Sequence, residues 1–355
     1  MYPAGSLSLQ SVAERELVLL QSPSGAYRAP IAAYPTQDLS SLARRLPQVR
    51  PQTKSAPLIP PVRLDLFTVA NGRFAVGDGL DGLVLSDDGR TIAETAMFTR
   101  RTDRIDLPCP DTVLDDVFLG FDGGWTNWYH WLCFALGRSA IAARLLGPQT
   151  RIVLPDHACR AASWQQSLEA FGLAARVRLL QPGLYRAHSI RLLWTTPSEP
   201  TNLTYLGAFH ELFAQVRRGL RTNPDLPRRL QISRSRAANP RLQPAETALV
   251  EGVAQRHGFV PLHLEEFNFS AQAEAMFNAE CVIGVHGAGM ANILFGRRTL
   301  RVMELNLRLD GETLPRPWFY LLAHARGQRY MMLDRDAGDL SEERLSMAIS
   351  VLYGD

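Results

Sequence analysis

Short apolar runs alternate along this chain with segments whose apolar positions recur at helical spacing. That alternation is the pattern of strands followed by amphipathic helices. Residues 1–60 stand outside it: they are rich in Pro, Ser and Arg, and they read as an irregular arm with one helix near Leu39–Leu46. From Val62 to Met97 the apolar runs are broken by Asn71-Gly72, Gly77-Asp78-Gly79, Asp81-Gly82 and Asp87-Asp88-Gly89. Turn residues at that density predict β-hairpins. Val113–Gly120 then reads as a strand, Phe121–Gly124 as a glycine loop, and a helix starts near Asn127.

Strands follow at Arg151–Leu154, Val177–Leu180 and Ile190–Trp194, with helices at Ala161–Phe171, closed by Gly172, and at Tyr205–Leu220. The segment Thr222–Pro227 holds two prolines and no periodicity, which marks a domain boundary. In the second half, strands at Arg229–Ser233, Phe259–His263, Cys281–Val285, Leu300–Leu305 and Tyr330–Leu333 alternate with helices. Those helices lie at Pro244–His257, Ser270–Asn278, Met290–Phe295 and Trp318–Arg326, and Ser341–Tyr353 is a last amphipathic one. Pro244 suits a first helical turn and Gly258 a C-cap. Repeated βα units with short links predict a parallel, doubly wound sheet. The chain therefore divides into an arm (1–60), an N-terminal domain (61–222), a C-terminal βα-repeat domain (223–338) and a C-terminal helix (339–355).

Composition changes this picture little. The 355 residues are 46% hydrophobic and 21% charged, ordinary for a globular protein, and a net charge of +3 gives no argument for nucleic acid. All but one of the 38 basic residues are arginine, the exception being Lys54, which is compatible with anionic ligands and also with genome composition. Cys109, Cys133, Cys159 and Cys281 lie far apart, so neither a zinc site nor a disulfide framework is expected, and a reducing compartment fits. The first residues lack a signal-peptide pattern, and no apolar window reaches the ~20 residues that span a bilayer. Trp131–Leu146 is the most apolar candidate, but it carries Arg138 and Arg144 and reads as a buried helix.

Chemistry concentrates at Cys281–Asn292, where an apolar strand ends in His286-Gly287-Ala288-Gly289 and a helix begins at once. Such a turn lets backbone approach a ligand, and helix N–H groups can hold an anion. In open α/β sheets ligands bind beyond the carboxyl ends of the strands. That rule gathers Ser233, Arg234 and Arg236 after one strand, His286 and its glycines after another, and Glu304 with Asn306 at a third. Arginine, histidine and helix N–H groups suit a diphosphate, and a carboxylate suits a ribose diol. Each residue also has a plain reading: glycines for packing, His286 as a core histidine, Arg234 and Arg236 on the surface, Glu304 in an ion pair. Their common sheet edge favours a site.

A second constellation is Asn127-Trp128-Tyr129-His130-Trp131-Leu132. Asn127 is a plausible N-cap, and His130, one turn in, suits a general base because imidazole titrates near neutrality. The alternative is a buried aromatic cluster with a bonded histidine.

These blocks resemble glycosyltransferase family 61. The similarity rests on Asn127–Leu132, Ile232-Ser-Arg-Ser-Arg236, Gln272 and Phe277, Gly284-Val-His-Gly-Ala-Gly-Met-Ala-Asn-Ile-Leu-Phe295 and Val302-Met-Glu-Leu305, and it extends from about Val62 to Leu333. The resemblance implies a GT-B-like α/β fold, two Rossmann-like domains facing a cleft, here with a β-hairpin-rich N-terminal section. It also implies inversion, a nucleotide-sugar donor (a UDP-sugar first) and a glycan or lipid-linked saccharide acceptor. Arg234, Arg236, His286, Gly287, Ala288, Gly289 and Asn292 would surround the donor, with Glu304 near its ribose. Asn127 and Tyr129 would lie on the acceptor side, with His130 as base and Asp122 in reserve. One departure is Arg241-Leu-Gln-Pro-Ala-Glu246, where many members carry an Asn.

The mechanism so implied is single displacement with no cofactor and no required metal. Asp334-Arg335-Asp336 resembles a metal-binding DxD but reads as a surface turn. A bacterial cytoplasmic enzyme of surface-polysaccharide synthesis fits, with peripheral contact at the inner face of the plasma membrane as an option. Two other readings stay open: a dinucleotide-dependent oxidoreductase, although its glycine order is reversed here, and a non-catalytic nucleotide-sugar or glycan binder.

Overall fold

In the first half the turn residues at 77–82 and 87–89 fold short apolar runs back on one another, whereas Asn71-Gly72, expected to close a hairpin, interrupts a run without reversing it. The computed structural model describes residues 6–21, 49–50, 62–96, 98–99, 105–159, 162–196, 200–237, 240–307, 316, 318–335 and 340–353. Its strands are β1 (Glu14–Gln21), β2 (Val49–Arg50), β3 (Val62–Ala70), β4 (Arg73–Val76), β5 (Val84–Leu85), β6 (Val113–Leu119) and β7 (Arg151–Pro155). They continue with β8 (Val177–Leu180), β9 (Gly183–Thr196), β10 (Arg229–Ile232), β11 (Val260–Leu262), β12 (Cys281–Val285), β13 (Arg301–Asn306) and β14 (Arg329–Asp334). Contacts divide the chain into two units, Met1–Pro23 with Pro60–Leu212 and Ser24–Ile59 with Phe213–Asp355. The division falls inside a helix, ahead of the proline segment 222–227 where a boundary was expected.

In the first unit the strands run in the order β1-β3-β9-β6-β7-β8, with β4 on β9 and β5 on β4. Only β9, β6, β7 and β8 are mutually parallel, so this half is a mixed sheet and not a simple Rossmann-like one. Its organiser is β9, 14 residues long where a five-residue strand was expected. Its start pairs with β4, its later part with β3, and its other edge with β6. Between β3 and β4, which follow one another in one register along β9, the interruption places Asn71 at φ 51°, which Asn tolerates better than most residues.

The arm is not wholly irregular. Glu14–Gln21 pairs antiparallel with β3, and Val49–Arg50 with β14. Arg15 of β1 reaches the fully buried Asp65 carboxylate at 3.2 Å, where Arg63 also donates at 2.9 Å. β1 is charged in its first half and continuously apolar at Leu17–Leu20, so it has no period-2 pattern to announce it. The helix expected near Leu39–Leu46 lies outside the described residues.

After β6 a continuous helix, α1, covers residues 128–145: α-helical at Trp128–His130, π-helical at Trp131–Leu136, α-helical again at Gly137–Leu145. Such π-segments inside α-helices recur at functional sites. The other α-helices of two turns or more among the described residues are α2 (Ala162–Ala170), α3 (Gly207–Arg218), α4 (Pro244–Arg256), α5 (Phe269–Asn278), α6 (Trp318–Arg326) and α7 (Glu342–Tyr353).

The second unit has the order β11-β10-β12-β13-β14-β2, all parallel except β2. Numbered within the parallel set this is 2-1-3-4-5, so the winding direction reverses between β10 and β12. One sheet face carries Cys281, Ile283, Val285, Met303, Leu305, Met331 and Leu333 against Val253, Ala254, Leu345, Ile349 and Leu352 of α4 and α7. The C-terminal helix is thus part of this core. The other face is covered by α5, α6 and a 3-10 helix, Ala288–Phe295, held partly by Phe295 against Phe269 and Phe213. Among the described residues no helix is long and apolar enough to cross a membrane.

The end of α5 is pinned to the chain that enters this unit. Buried Asn278 accepts from Asn223 N at 2.8 Å and donates to Arg221 O at 3.2 Å and Glu274 O at 3.0 Å. Asn278→Ala strands those backbone groups, so urea unfolding should show a loss of about 1–3 kcal/mol. A change under a few tenths would mean that water replaces the amide.

Candidate active site

Parallel strands point their carboxyl ends one way, and the reversal between β10 and β12 opens a crevice at that edge. Ser233 and Arg234 leave β10 there, and His286 and Gly287 leave β12. A Cβ on Gly287 would collide with Arg234 Nη1 and lie 3.0 Å from its Cζ, so the guanidinium rests directly on the glycine. Sequence-distant Arg234 and Gly287 are thereby one feature. Gly284 and Gly289 serve packing instead: a Cβ on Gly284 would meet Met290 Sδ at 2.6 Å, and one on Gly289 would meet Leu264 Cδ1 at 2.7 Å.

Burial lowers the Arg234 pKa below the usual arginine range, Arg241 lowers it further by like-charge repulsion, and Glu265 opposes the shift. Two guanidiniums that repel one another are relieved by an anion. The small cleft beside them is lined by Gln231, Ser233, Arg234, Arg241, Thr247 and Glu251, and its enclosed space holds about one water.

His286 is 5% exposed and held from three sides. Its backbone N donates to Leu305 O at 2.9 Å, its ring lies 5.1 Å from Phe319, and Nδ1 donates to Glu304 Oε1. A carboxylate only accepts, so Nδ1 carries a proton, and Nε2, the nitrogen left for a ligand, donates to an anion when the ring is the imidazolium.

Glu304 does not have the surroundings expected of a ribose contact. It is fully buried, and its oxygens accept from His286 Nδ1, from Tyr330 O–H and from Asn306 Nδ2 at 2.8 Å. Asn292, also expected at the donor, is likewise fully buried. Its amide donates to Gln272 Oε1 at 3.2 Å and Gly289 O at 3.1 Å, tying the 3-10 helix to α5. Arg236 points away into an exposed ion pair with Glu266. Ala288 is half-buried and opens the 3-10 helix, whose first N–H groups lack intrahelical partners by geometry. That helix was expected to be α-helical from Met290. Among the described residues no cluster of His, Cys, Asp or Glu is placed to hold a metal ion. Asp336 of the DxD-like turn lies outside them.

Sequence reasoning missed Tyr330, Arg241 and Arg138. Tyr330 stands in an apolar strand and looks like a core aromatic. The one available signal was Glu304 itself, since a carboxylate inside Val302-Met-Glu-Leu needs buried donors.

In the first unit Asn127 caps α1, accepting from Tyr129 N at 2.9 Å. Tyr129 is buried within the aromatic cluster, 5.6 Å from His130. His130 packs against Gly124, where a Cβ would sit 2.6 Å from Nδ1, and against Phe98 at 4.7 Å and Phe134 at 5.1 Å. Its Nδ1 is buried and makes no hydrogen bond. In the neutral ring the proton therefore belongs on Nε2, whereas a general base needs a lone pair there. Asp122 is occupied too: it pairs with buried Arg138 and accepts from Gly124 N at 2.9 Å. The structure thus brings His130 and Asp122 together but gives neither the environment of a free base.

Residues 128–303, about half of the chain, match the family model described as Glycosyltransferase 61. The chain belongs to glycosyltransferase family 61. No curated protein matches it. As a family 61 glycosyltransferase it brings a sugar donor and an acceptor together. The matched segment includes His130, Arg234, His286 and the glycine turn, starts just after Asn127 and stops one residue before Glu304.

Two outcomes separate the roles of residues in this transferase. Gly287→Ala must push Arg234 aside, so affinity for the sugar donor in calorimetry should fall at least tenfold with little loss of stability. Gly289→Ala meets only a flexible leucine tip, so binding should persist while stability drops by about 1–3 kcal/mol. The reverse pattern would exchange the two assignments.

Burial lowers the His130 pKa below 6.5, with Asp122 opposing and Arg138 reinforcing the shift. Between that lowered value and about 6.5 the unfolded chain binds more protons, so stability contributed by neutral His130 is present above about 6.5 and lost as pH falls through that window. His130→Phe fits the same cage and should flatten the acid limb of stability against pH. An unchanged limb would mean that the ring is solvated.

Proposed function

We propose that this family 61 chain is an inverting, GT-B-type transferase that moves a sugar from a nucleotide-sugar donor, a UDP-sugar first, to a glycan or lipid-linked saccharide. The proposed setting is bacterial surface-polysaccharide assembly, in the cytoplasm or at the inner face of the plasma membrane. The observation that carries the donor reading is the Arg234 guanidinium laid on Gly287 beside His286, at the winding reversal of a parallel sheet. That is a place for a diphosphate next to the anomeric centre.

In the reaction an acceptor oxygen attacks the anomeric carbon while its bond to the diphosphate breaks. The nucleoside diphosphate leaves with the bonding electrons. Arg234, the 3-10 helix N-terminus and, as the imidazolium, His286 through Nε2–H stabilise the charge that grows on it, and fixed donors in a dry site do this without reorganisation. On this reading these groups suffice and no divalent metal is required. The acceptor proton goes to a base that we assign to neither His130 nor Asp122, because the first lacks an oriented lone pair and the second is paired with Arg138.

A thermal-shift series with UDP, GDP and NAD(H), each with and without EDTA, tests the proposal. Saturable stabilisation by a nucleoside diphosphate is expected, about 2.7 kcal/mol at a hundredfold excess over Kd, retained in EDTA and lost in Arg234→Ala. Stabilisation by NAD(H) alone would replace the transferase with an oxidoreductase, and loss in EDTA would remove the metal-free mechanism.

A further inference from the structure

The second unit contains a carboxylate that no ligand can reach. Glu304 lies mid-strand in β13, between Gly284 of β12 and Met332 of β14, with no exposed surface. An isolated carboxylate in such a place would take up a proton or disrupt the core. Here three donors meet it, and each is itself fixed. Asn306 closes onto Arg316 backbone through Nδ2 to O at 2.8 Å and through Oδ1 from N at 3.2 Å. Tyr330 lies 5.7 Å from Tyr320 and stays protonated, its pKa pushed well up by burial and then by Glu304. His286 is the only basic side chain paired with Glu304 among the described residues.

We propose that Glu304 is a positioning residue for the transfer reaction, fixing His286 through Nδ1 and, as the anionic partner, balancing its imidazolium so that Nε2–H is presented to the donor diphosphate, with Tyr330 and Asn306 holding the carboxylate in place. This deepens the donor assignment made above and rests on it. The alternative is that Glu304 merely packs the core. The geometry argues against that: apolar residues fill such positions at lower cost, whereas only an acceptor sets which imidazole nitrogen carries the proton. It also explains how His286, almost fully buried, keeps one orientation at the end of a strand. No atom of Glu304 touches substrate in this scheme. Its contribution reaches the donor only through the ring.

The test uses full-length protein labelled with 15N-histidine, and His286→Asn identifies the His286 signal among eight histidines. Wild type should show a low-field Nδ1–H resonance from His286 without any nucleotide present. Glu304→Gln keeps the shape but removes the charge. It should lose that resonance and weaken binding of the nucleoside diphosphate that stabilises wild type by about 10- to 100-fold, the scale seen when the outer partner of a ligating histidine is removed. Tm should change little beside that loss. An unaltered resonance, or unaltered affinity, would overturn the proposal and leave Glu304 a packing residue. If Glu304→Gln does not fold, Tyr330→Phe decides. Removing one competing donor should strengthen the remaining bond and move the His286 proton further downfield, and an unmoved proton overturns the proposal. Absence of binding by any nucleoside diphosphate in wild type would count against the donor reading itself, while the ligand-free resonance still reports whether Glu304 holds the ring.

Discussion

Glu304 in β13 is a charge placed where water cannot solvate it, and the arrangement of the second unit follows from how that charge is met. Desolvating a carboxylate costs several kcal/mol even after relaxation, so the neighbouring strands must supply donors in fixed positions. β13 provides Asn306, β14 provides Tyr330, and the turn after β12 provides His286. Three successive polar contributions from parallel neighbours tie the core of the sheet to its edge. A change in register by one residue would send Glu304, together with Asn306 of the same strand, to the face packed by α4 and α7 and strand His286 and Tyr330. The polar network therefore specifies pairing as well as chemistry.

The glycines at that edge divide between two physical tasks. Gly284 and Gly289 let the 3-10 helix approach the sheet, where Met290 and Leu264 occupy the space a side chain would need. Gly287 instead leaves room for a guanidinium. Its backbone is extended, so it is spared a side chain for contact and not for conformation. Arg234 thus enters the crevice over bare backbone, close to Arg241, and like charges gathered at strand ends raise the affinity for any anion that separates them. The helix N-terminus adds partial positive charge at the same spot.

Much of this was legible in the sequence, and the exceptions have physical causes. β12, β8 and α6 begin and end where the apolar pattern says, because each lies between clear turn or cap residues. The strand-end rule also found Arg234, His286 and Gly287 correctly as neighbours, since it depends only on strand direction. It could not tell Asn292 or Glu304 from ligand contacts. A polar residue near a sheet edge looks the same in sequence whether it faces the crevice or the covered side. β1 and β2 were hidden because edge strands need no apolar alternation, and β9 was truncated because only its later part, Ile190–Trp194, is densely apolar. Tyr330 could not be singled out at all: its hydroxyl matters only because a carboxylate from another strand comes to it.

The two histidines make the same point about function. His130 and His286 are equally plausible bases or donors from residue type and both follow a parallel strand. Their environments separate them. His130 Nδ1 is pressed against Gly124 with no partner, so the ring is a neutral body in an aromatic cage and its preferred tautomer is set by avoidance of an unpaired buried N–H. His286 Nδ1 meets a carboxylate anchored by two further donors, so its tautomer is set by a bond. An imidazole whose proton is placed by a partner presents one defined nitrogen to a ligand, whatever binds. An imidazole placed only by packing can be replaced by another ring of the same size. The chemistry of the donor side should therefore depend on polar geometry, and that of the aromatic cluster on shape.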